Sequence, residues 1–274
     1  MTLVHSSQSL VIPAVDGGGA IAYHGTPITP RVVLEAIGER DYCVSHFRAD
    51  DLDWIEARSR SYIYDNGVFS FWMAALKSGG EVVMTRDYLD SYYDRCRQLC
   101  LEGSGRCKWV VIPDPIGTGT QELDALLREW PSELADYGVP VWHMDEPVER
   151  AIMLLDRYGR ICIGATGEYR VILSDAFRER MDELFNAMVA FFGCVLATHM
   201  FRGLQLLKPD CDWPIFSADS TDRARNHARL KPLGEHYLWA VRQSTDRWDR
   251  MAANRSRAWP PARLAQPDLY EVAA

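Results

Sequence analysis

The sequence predicts an α/β protein folded as a single (β/α)8 barrel of the TIM type, and three observations carry that prediction. Short apolar runs of strand length recur about eight times along the 274 residues, segments with helical spacing fall between most of them, and no linker, internal repeat or low-complexity tract divides the chain. Alternation of strand and helix implies a parallel sheet, because parallel neighbours need a crossover between them.

Ala20-Ile-Ala-Tyr23 reads as the first strand. Pro30 to Ile37 follows as a helix, opened by proline and with apolar residues three to four apart. Tyr42-Cys-Val-Ser45 is the second strand, and Asp50 to Arg58 is a helix with an acidic cap. Ser61-Tyr-Ile-Tyr64 is the third strand, leading into an apolar helix from Phe69 to Lys77 that Gly79-Gly80 ends. A helix from Arg86 to Leu101 precedes Trp109-Val-Val-Ile112, and one from Gln121 to Trp130 precedes Val139-Pro-Val-Trp142. Pro147 to Tyr158, Ile161-Cys-Ile163, Ser174 to Phe192, Leu196-Ala-Thr198 and Pro214-Ile-Phe216 complete the alternation. The expected division is an N-terminal extension over 1–19, a barrel over 20–230, and a basic helical appendage and tail over 231–274. Trp259-Pro-Pro261 and Gln266-Pro267 make the end of that tail extended.

Composition narrows the class. With 47% hydrophobic and 25% charged residues the chain resembles a soluble globular protein. No apolar run approaches the roughly 18 residues of a membrane span, and Met1-Thr-Leu-Val-His-Ser-Ser lacks the basic start of a secretory signal. A cytoplasmic protein without a membrane partner is the expectation. The seven cysteines, Cys43, Cys96, Cys100, Cys107, Cys162, Cys194 and Cys211, are odd in number and scattered, which argues against a disulfide framework. Cys96, Cys100 and Cys107 are close enough in sequence for a metal site to be conceivable. No CxxC pair or nearby histidine completes a zinc set, so free thiols, no metal and no cofactor are expected. The net charge is -8, yet Thr221 to Arg263 holds ten Lys or Arg against four Asp or Glu. A local basic face of that kind can hold phosphates on an otherwise acidic protein, and equally can be a solvated helix.

In a barrel of this type, residues just after each strand gather at one mouth, where the chemistry is done. The strand ends here carry His24; His46 with Arg48; Asp65 with Asn66 and Phe69; Asp114; His143; Glu168; His199 with Arg202; and Asp219 with Arg223 and Arg225. Each has an ordinary alternative. Asp65, Asp114 and Asp219 can cap helices or form turns, and a lone histidine is more often structural than catalytic. No HxxxH or HExxH spacing brings two histidines onto one helix face. Two strand-end acids can divide the roles of nucleophile and general acid or base, and arginines beside one of them suit a phosphate-bearing substrate.

Two of these segments carry a resemblance. Asp65-Asn-Gly-Val-Phe69 resembles the Asp-Ser-Gly-Gly-aromatic motif of the tRNA-guanine transglycosylase superfamily. Asp219-Ser-Thr-Asp-Arg-Ala-Arg-Asn226 resembles a shortened form of that family's Asp-Cys-Val-x-Pro-Thr-Arg-x-Ala-Arg-Asn segment. The order agrees, and the resemblance spans roughly Ala20 to Arg229. It implies a barrel that acts on the glycosidic bond of a nucleoside. Asp219 would be the nucleophile or oxocarbenium stabiliser, Asp65 the general acid or base, and Phe69 a platform for a flipped base. Asp114 would read the base edge with help from Asn66 and His143, Gly164 would let backbone approach the heterocycle, and Arg223, Arg225 and Arg202 would face phosphates. His24, His46, Arg48, Glu168 and His199 are further pocket candidates.

The departures shape the expected activity. Nothing after Cys211 supplies the CxCxxC and later histidine of the family's zinc subdomain, and Trp142-His-Met-Asp-Glu-Pro147 replaces its glycine-rich strand end. The resemblance therefore implies a DNA glycosylase that removes a modified base and leaves an abasic site, acting on DNA rather than tRNA, and suited to defence against phages with hypermodified DNA. Three alternatives stay open: a transglycosylase inserting a 7-deazaguanine into DNA or tRNA, a non-catalytic binder of modified nucleic acid, and a barrel hydrolase of small phosphate esters or sugars.

Overall fold

The computed structural model describes residues 19–78, 84–115 and 119–255. Most of the expected N-terminal extension, the Gly79-Gly80 stop and the end of the expected tail lie outside the described residues. Among those described, nine parallel strands form one sheet: β1 (Ile21–Gly25), β2 (Asp41–Ser45), β3 (Ser61–Asp65), β4 (Cys107–Val111), β5 (Gly138–Val139), β6 (Val141–His143), β7 (Arg160–Gly164), β8 (Ala197–Met200) and β9 (Ser217–Ser220). Their spatial order, β5-β4-β3-β2-β1-β9-β8-β7-β6, makes a nearly closed barrel whose first and last strands are neighbours in sequence.

Nine strands stand where eight were expected, and Pro140 is the physical reason. Proline has no N–H to give a ladder, so the run Val139-Pro-Val-Trp142 is divided. Val139 pairs with Val111 of β4 on one side, while Val141 pairs with Cys162 of β7 on the other. The Pro140 carbonyl accepts the Cys162 N–H at 2.8 Å, so the chain changes neighbours at this residue.

Nine α-helices occur among the described residues: α1 (Arg31–Ile37), α2 (Leu52–Arg58), α3 (Val68–Ser78), α4 (Arg86–Arg97), α5 (Thr120–Glu129), α6 (Val148–Tyr158), α7 (Asp175–Phe192), α8 (Asp222–Asn226) and α9 (Tyr237–Ala253). Local chemistry sets their ends. Ser174 accepts the Phe177 N–H at 3.3 Å to start α7, and Gly193 closes it in the left-handed conformation at φ 71°.

Strand alternation divides the core. Outward residues such as Tyr42, Tyr62, Tyr64 and Val110 pack under α1, α2 and α4, and Trp142, Ile161, Ile163 and Met200 pack with Phe177, Leu184 and Phe185 of α7. Each such fully buried large side chain contributes about 1.5–3 kcal/mol. Tyr23, Cys43, Ile63, Trp109, Val111, Val139, Val141 and Cys162 fill the barrel interior. The region expected as an appendage contains α9, which packs against β1 and α1. Val241 and Ala252 enter the core, and the Ala252 carbonyl accepts the Ala20 N–H at 2.8 Å. No helix among the described residues is long and apolar enough to cross a membrane.

Candidate functional site at the barrel mouth

The interior side chains define the site by counting upward. Two residues beyond Cys43, Ile63, Val141 and Cys162 stand Ser45, Asp65, His143 and Gly164, each at the carboxyl end of its strand. Asp219 occupies the corresponding end of β9, paired with Tyr23 of β1. The charges of Asp65 and Asp219 both act on the buried Cys43 thiol, and those of Asp114, Asp65 and Asp219 on Cys162. Burial first, and these carboxylates second, hold both thiols far above their ordinary pKa. Three acids separated by as much as 154 positions therefore share one mouth above an inert floor of buried thiols.

Asp65 sits in a tight turn. Its Oδ2 accepts the Gly67 N–H at 3.1 Å, and Asn66 Oδ1 accepts the Val68 N–H at 3.0 Å. Gly67 has φ +75°, and a Cβ there would stand 2.7 Å from the Phe47 nitrogen, so only glycine makes the turn. Asp65 is thus a turn former as well as a mouth residue. Burial, then the charge of Asp219, push its carboxyl up to about 7, against the opposing Gly67 bond.

Asn66 is buried and donates through Nδ2 to Asp114 Oδ1 at 2.7 Å and to the Ile112 carbonyl at 3.2 Å. Burial, with repulsion from Asp65 and Glu146, raises Asp114 well above the usual carboxylate range despite the Asn66 bond. His143 Nε2 lies 3.4 Å from Asp114 Oδ2, and neither ring nitrogen of this buried histidine makes a hydrogen bond. Burial lowers its pKa, so the ring is neutral near pH 7. Gly164 leaves space beside it, since a Cβ there would stand 3.1 Å from His143 Nδ1. A buried acid whose proton is held more tightly than usual, an imidazole with unmet hydrogen-bonding capacity and a bare backbone edge make a surface suited to a polar planar ligand.

On the other side, Asp219 is buried and its Oδ1 accepts the Arg202 N–H at 2.7 Å. Oδ2 makes no hydrogen bond among the described residues. His199 Nε2 lies 3.5 Å from Oδ1, while His199 Nδ1 shares a hydrogen bond of 2.8 Å with Ser217. Tyr23, Trp109 and Phe201 pack edge-on around the imidazole, which fixes its plane. Arg202 holds φ 55°, a left-handed conformation that costs an arginine about 1–2 kcal/mol. Its guanidinium covers the ring of the exposed Phe69 at 4.4 Å, tying the loop after β8 to the start of α3.

Beside Asp219 a cavity of about 300 Å³ is lined by Arg202, Gln205, Lys208, Ser220, Arg225 and Trp248, among others. Arg223 faces elsewhere, bonded to Asp222 and to the Ser244 hydroxyl of α9.

The remaining candidates have other partners. His24 points out of the barrel and bonds to Asp249 of α9 at 2.9 Å. His46 bonds to the Tyr64 hydroxyl at 2.8 Å among Tyr88 and Tyr92. Arg48 pairs with Asp50 on the surface, and Glu168 is exposed in the 3-10 turn Gly167–Arg170 after β7. The motifs did not reveal Ser45, Ser217, Gln205, Lys208 or Trp248. Alternation counted from Cys43 would have found Ser45, and nothing local marks Trp248, which α9 brings in from a distance. Among the described residues no three His, Cys, Asp or Glu side chains are grouped to hold a metal ion. No protein-family model matches the chain, and no curated protein matches it either.

Proposed function

We propose that this protein cleaves the N-glycosidic bond of a modified nucleobase in DNA and leaves an abasic site. The observation that carries the reading is the convergence of Asp65 and Asp219 on one mouth beside the Asn66, Asp114 and His143 edge. Breaking this bond builds positive charge on the sugar, and the unbonded Oδ2 of Asp219 is the group to face it. The departing base needs a proton or hydrogen bond. Asp65, with a pKa of about 7, or Asp114, whose carboxyl burial also pushes up, can supply it. The planar edge of the base suits Asp114, His143 and the backbone at Gly164, and Phe69 offers a stacking face once Arg202 moves aside. Arg202, Lys208 and Arg225 around the adjoining cavity suit the flanking phosphates.

The test offers purified protein DNA bearing diverse modified bases and follows free base by mass spectrometry. Base release by the wild type and its loss in Asp219→Asn are expected; no release from any substrate, or equal release by Asp219→Asn, sinks the reading. A parallel reaction with labelled 7-deazaguanine separates hydrolysis from exchange, because only a transglycosylase incorporates label.

A further inference from the structure

At the opposite end of the barrel, where the strands begin, lies a second cavity of about 300 Å³. Its lining includes Arg128, Arg157, Arg160, Trp130, Asp136 and Tyr158. Arg128 and Arg157 stand in the last turns of α5 and α6, and Arg160 opens β7. None of the three guanidinium groups has a carboxylate within ion-pair distance among the described residues. Three of the acids near them in sequence are engaged by other arginines, Glu129 by Arg86 at 3.0 Å, Glu133 by Arg97 at 2.7 Å and Asp124 by Arg150 at 2.9 Å, while the exposed Asp156, next to Arg157, is not part of the cavity lining. Arg160 donates to the main-chain carbonyl of Asp136, a neutral acceptor, and burial lowers its pKa, the mark of a cation short of compensation. Arg157 rests on the Tyr158 ring at 5.1 Å, which orients it.

The electrostatics leave room for an anion. Each helix C-terminus offers about half a negative charge. With the exposed Asp136 carboxylate, the ends of α5 and α6 offset about two of the three positive charges. Guanidinium groups match phosphate oxygens in geometry as well as charge. A cavity of this volume is at the small end for ligand sites and admits a compact ion.

We propose that this cavity binds a small phosphate or pyrophosphate group, free or carried by a nucleotide, at a site separate from the barrel mouth. The proposal rests on no part of the glycosylase reading and can fail or stand without it.

The experiment is calorimetric titration of the full chain with inorganic phosphate, pyrophosphate and ADP. The wild type should bind pyrophosphate, and the double variant Arg128→Gln with Arg157→Gln should bind it at least tenfold more weakly. Both residues are exposed, and an unchanged melting temperature shows that the fold is kept. Asp136→Asn, which removes the competing carboxylate, should tighten binding several-fold. Arg31→Gln, which lines neither cavity, should leave it unchanged. ADP binding as tightly as pyrophosphate identifies the phosphates as the recognised part, and tighter ADP binding identifies a nucleotide. Absence of binding, indifference to the double variant, or loss on Arg31→Gln overturns the proposal.

Discussion

Arg202 donates its main-chain N–H to Asp219 Oδ1 at 2.7 Å from a backbone held at φ 55°. The bond occupies one carboxylate oxygen and leaves the other for chemistry. The conformation that makes it is one only glycine adopts without strain. Arg202→Gly and Arg202→Ala both remove the guanidinium from Phe69, but only glycine relaxes the backbone. Chemical denaturation should find Arg202→Gly more stable than Arg202→Ala by about 1–2 kcal/mol.

Asp219→Asn keeps an oxygen for the Arg202 N–H and removes the negative charge. On the proposed reaction, base release should fall by roughly two to four orders of magnitude with little change in melting temperature. Single-turnover assays on modified DNA would measure it. A variant retaining half its rate would remove Asp219 from the mechanism.

Asp65 gives a pH signature independent of substrate. Its folded pKa of about 7 lies above the unfolded value of about 3.9, so between these the native state keeps a proton that the unfolded chain has lost. Stability should therefore fall as pH rises from about 4 through 7, by up to about 4 kcal/mol if nothing relaxes. Asp65→Asn preserves an acceptor for Gly67 and cannot ionise. Urea denaturation at pH 5 and pH 8 should show a shallower dependence for this variant and a more stable protein at pH 8.

Gly164→Ala would place a methyl group about 3.1 Å from His143 Nδ1, tighter than ordinary contact. The imidazole must shift from its position beside Asp114, at a cost of about 1–3 kcal/mol for overpacking. Substrate KM should rise about tenfold with kcat less affected, as expected for a change to the binding edge.

His24 makes the opposite prediction. Its bond to Asp249 crosses from β1 to α9, outside the mouth. Asp249→Ala should destabilise the fold by about 1–3 kcal/mol, because a buried imidazole loses its partner. The rate of base release should not change. Parallel melting curves and rate assays would separate the two effects.

The contrast between His24 and Asp65 shows what could be read from the sequence. The apolar runs located most of the strands, and the strand-end rule brought Asp65, Asp114, His143 and Asp219 to one mouth. The same rule admitted His24 and His46, although each follows an inward residue, Tyr23 or Ser45, and so points outward. The last strand was displaced for a different reason. The apolar Pro214-Ile-Phe216 suggested it, but the ladder runs over Ser217–Ser220. Its polar interior side chains are satisfied by His199 and by the Arg202 amide, partners that hydropathy does not reveal. The cavity beside Asp219 needed the long-range return of Trp248 on α9.

Pro140 makes the barrel wall a cylinder with a seam. Asp114, following β4, and His143, ending β6, face each other across that line at 3.4 Å. Elsewhere around the wall, ladder bonds resist separation of neighbouring strands; here the change of partner occurs at one residue with no amide hydrogen to give. The placement of His143 against Asp114, and with it the width of the proposed base slot, therefore depends on a backbone joint as well as on the side chains that line it.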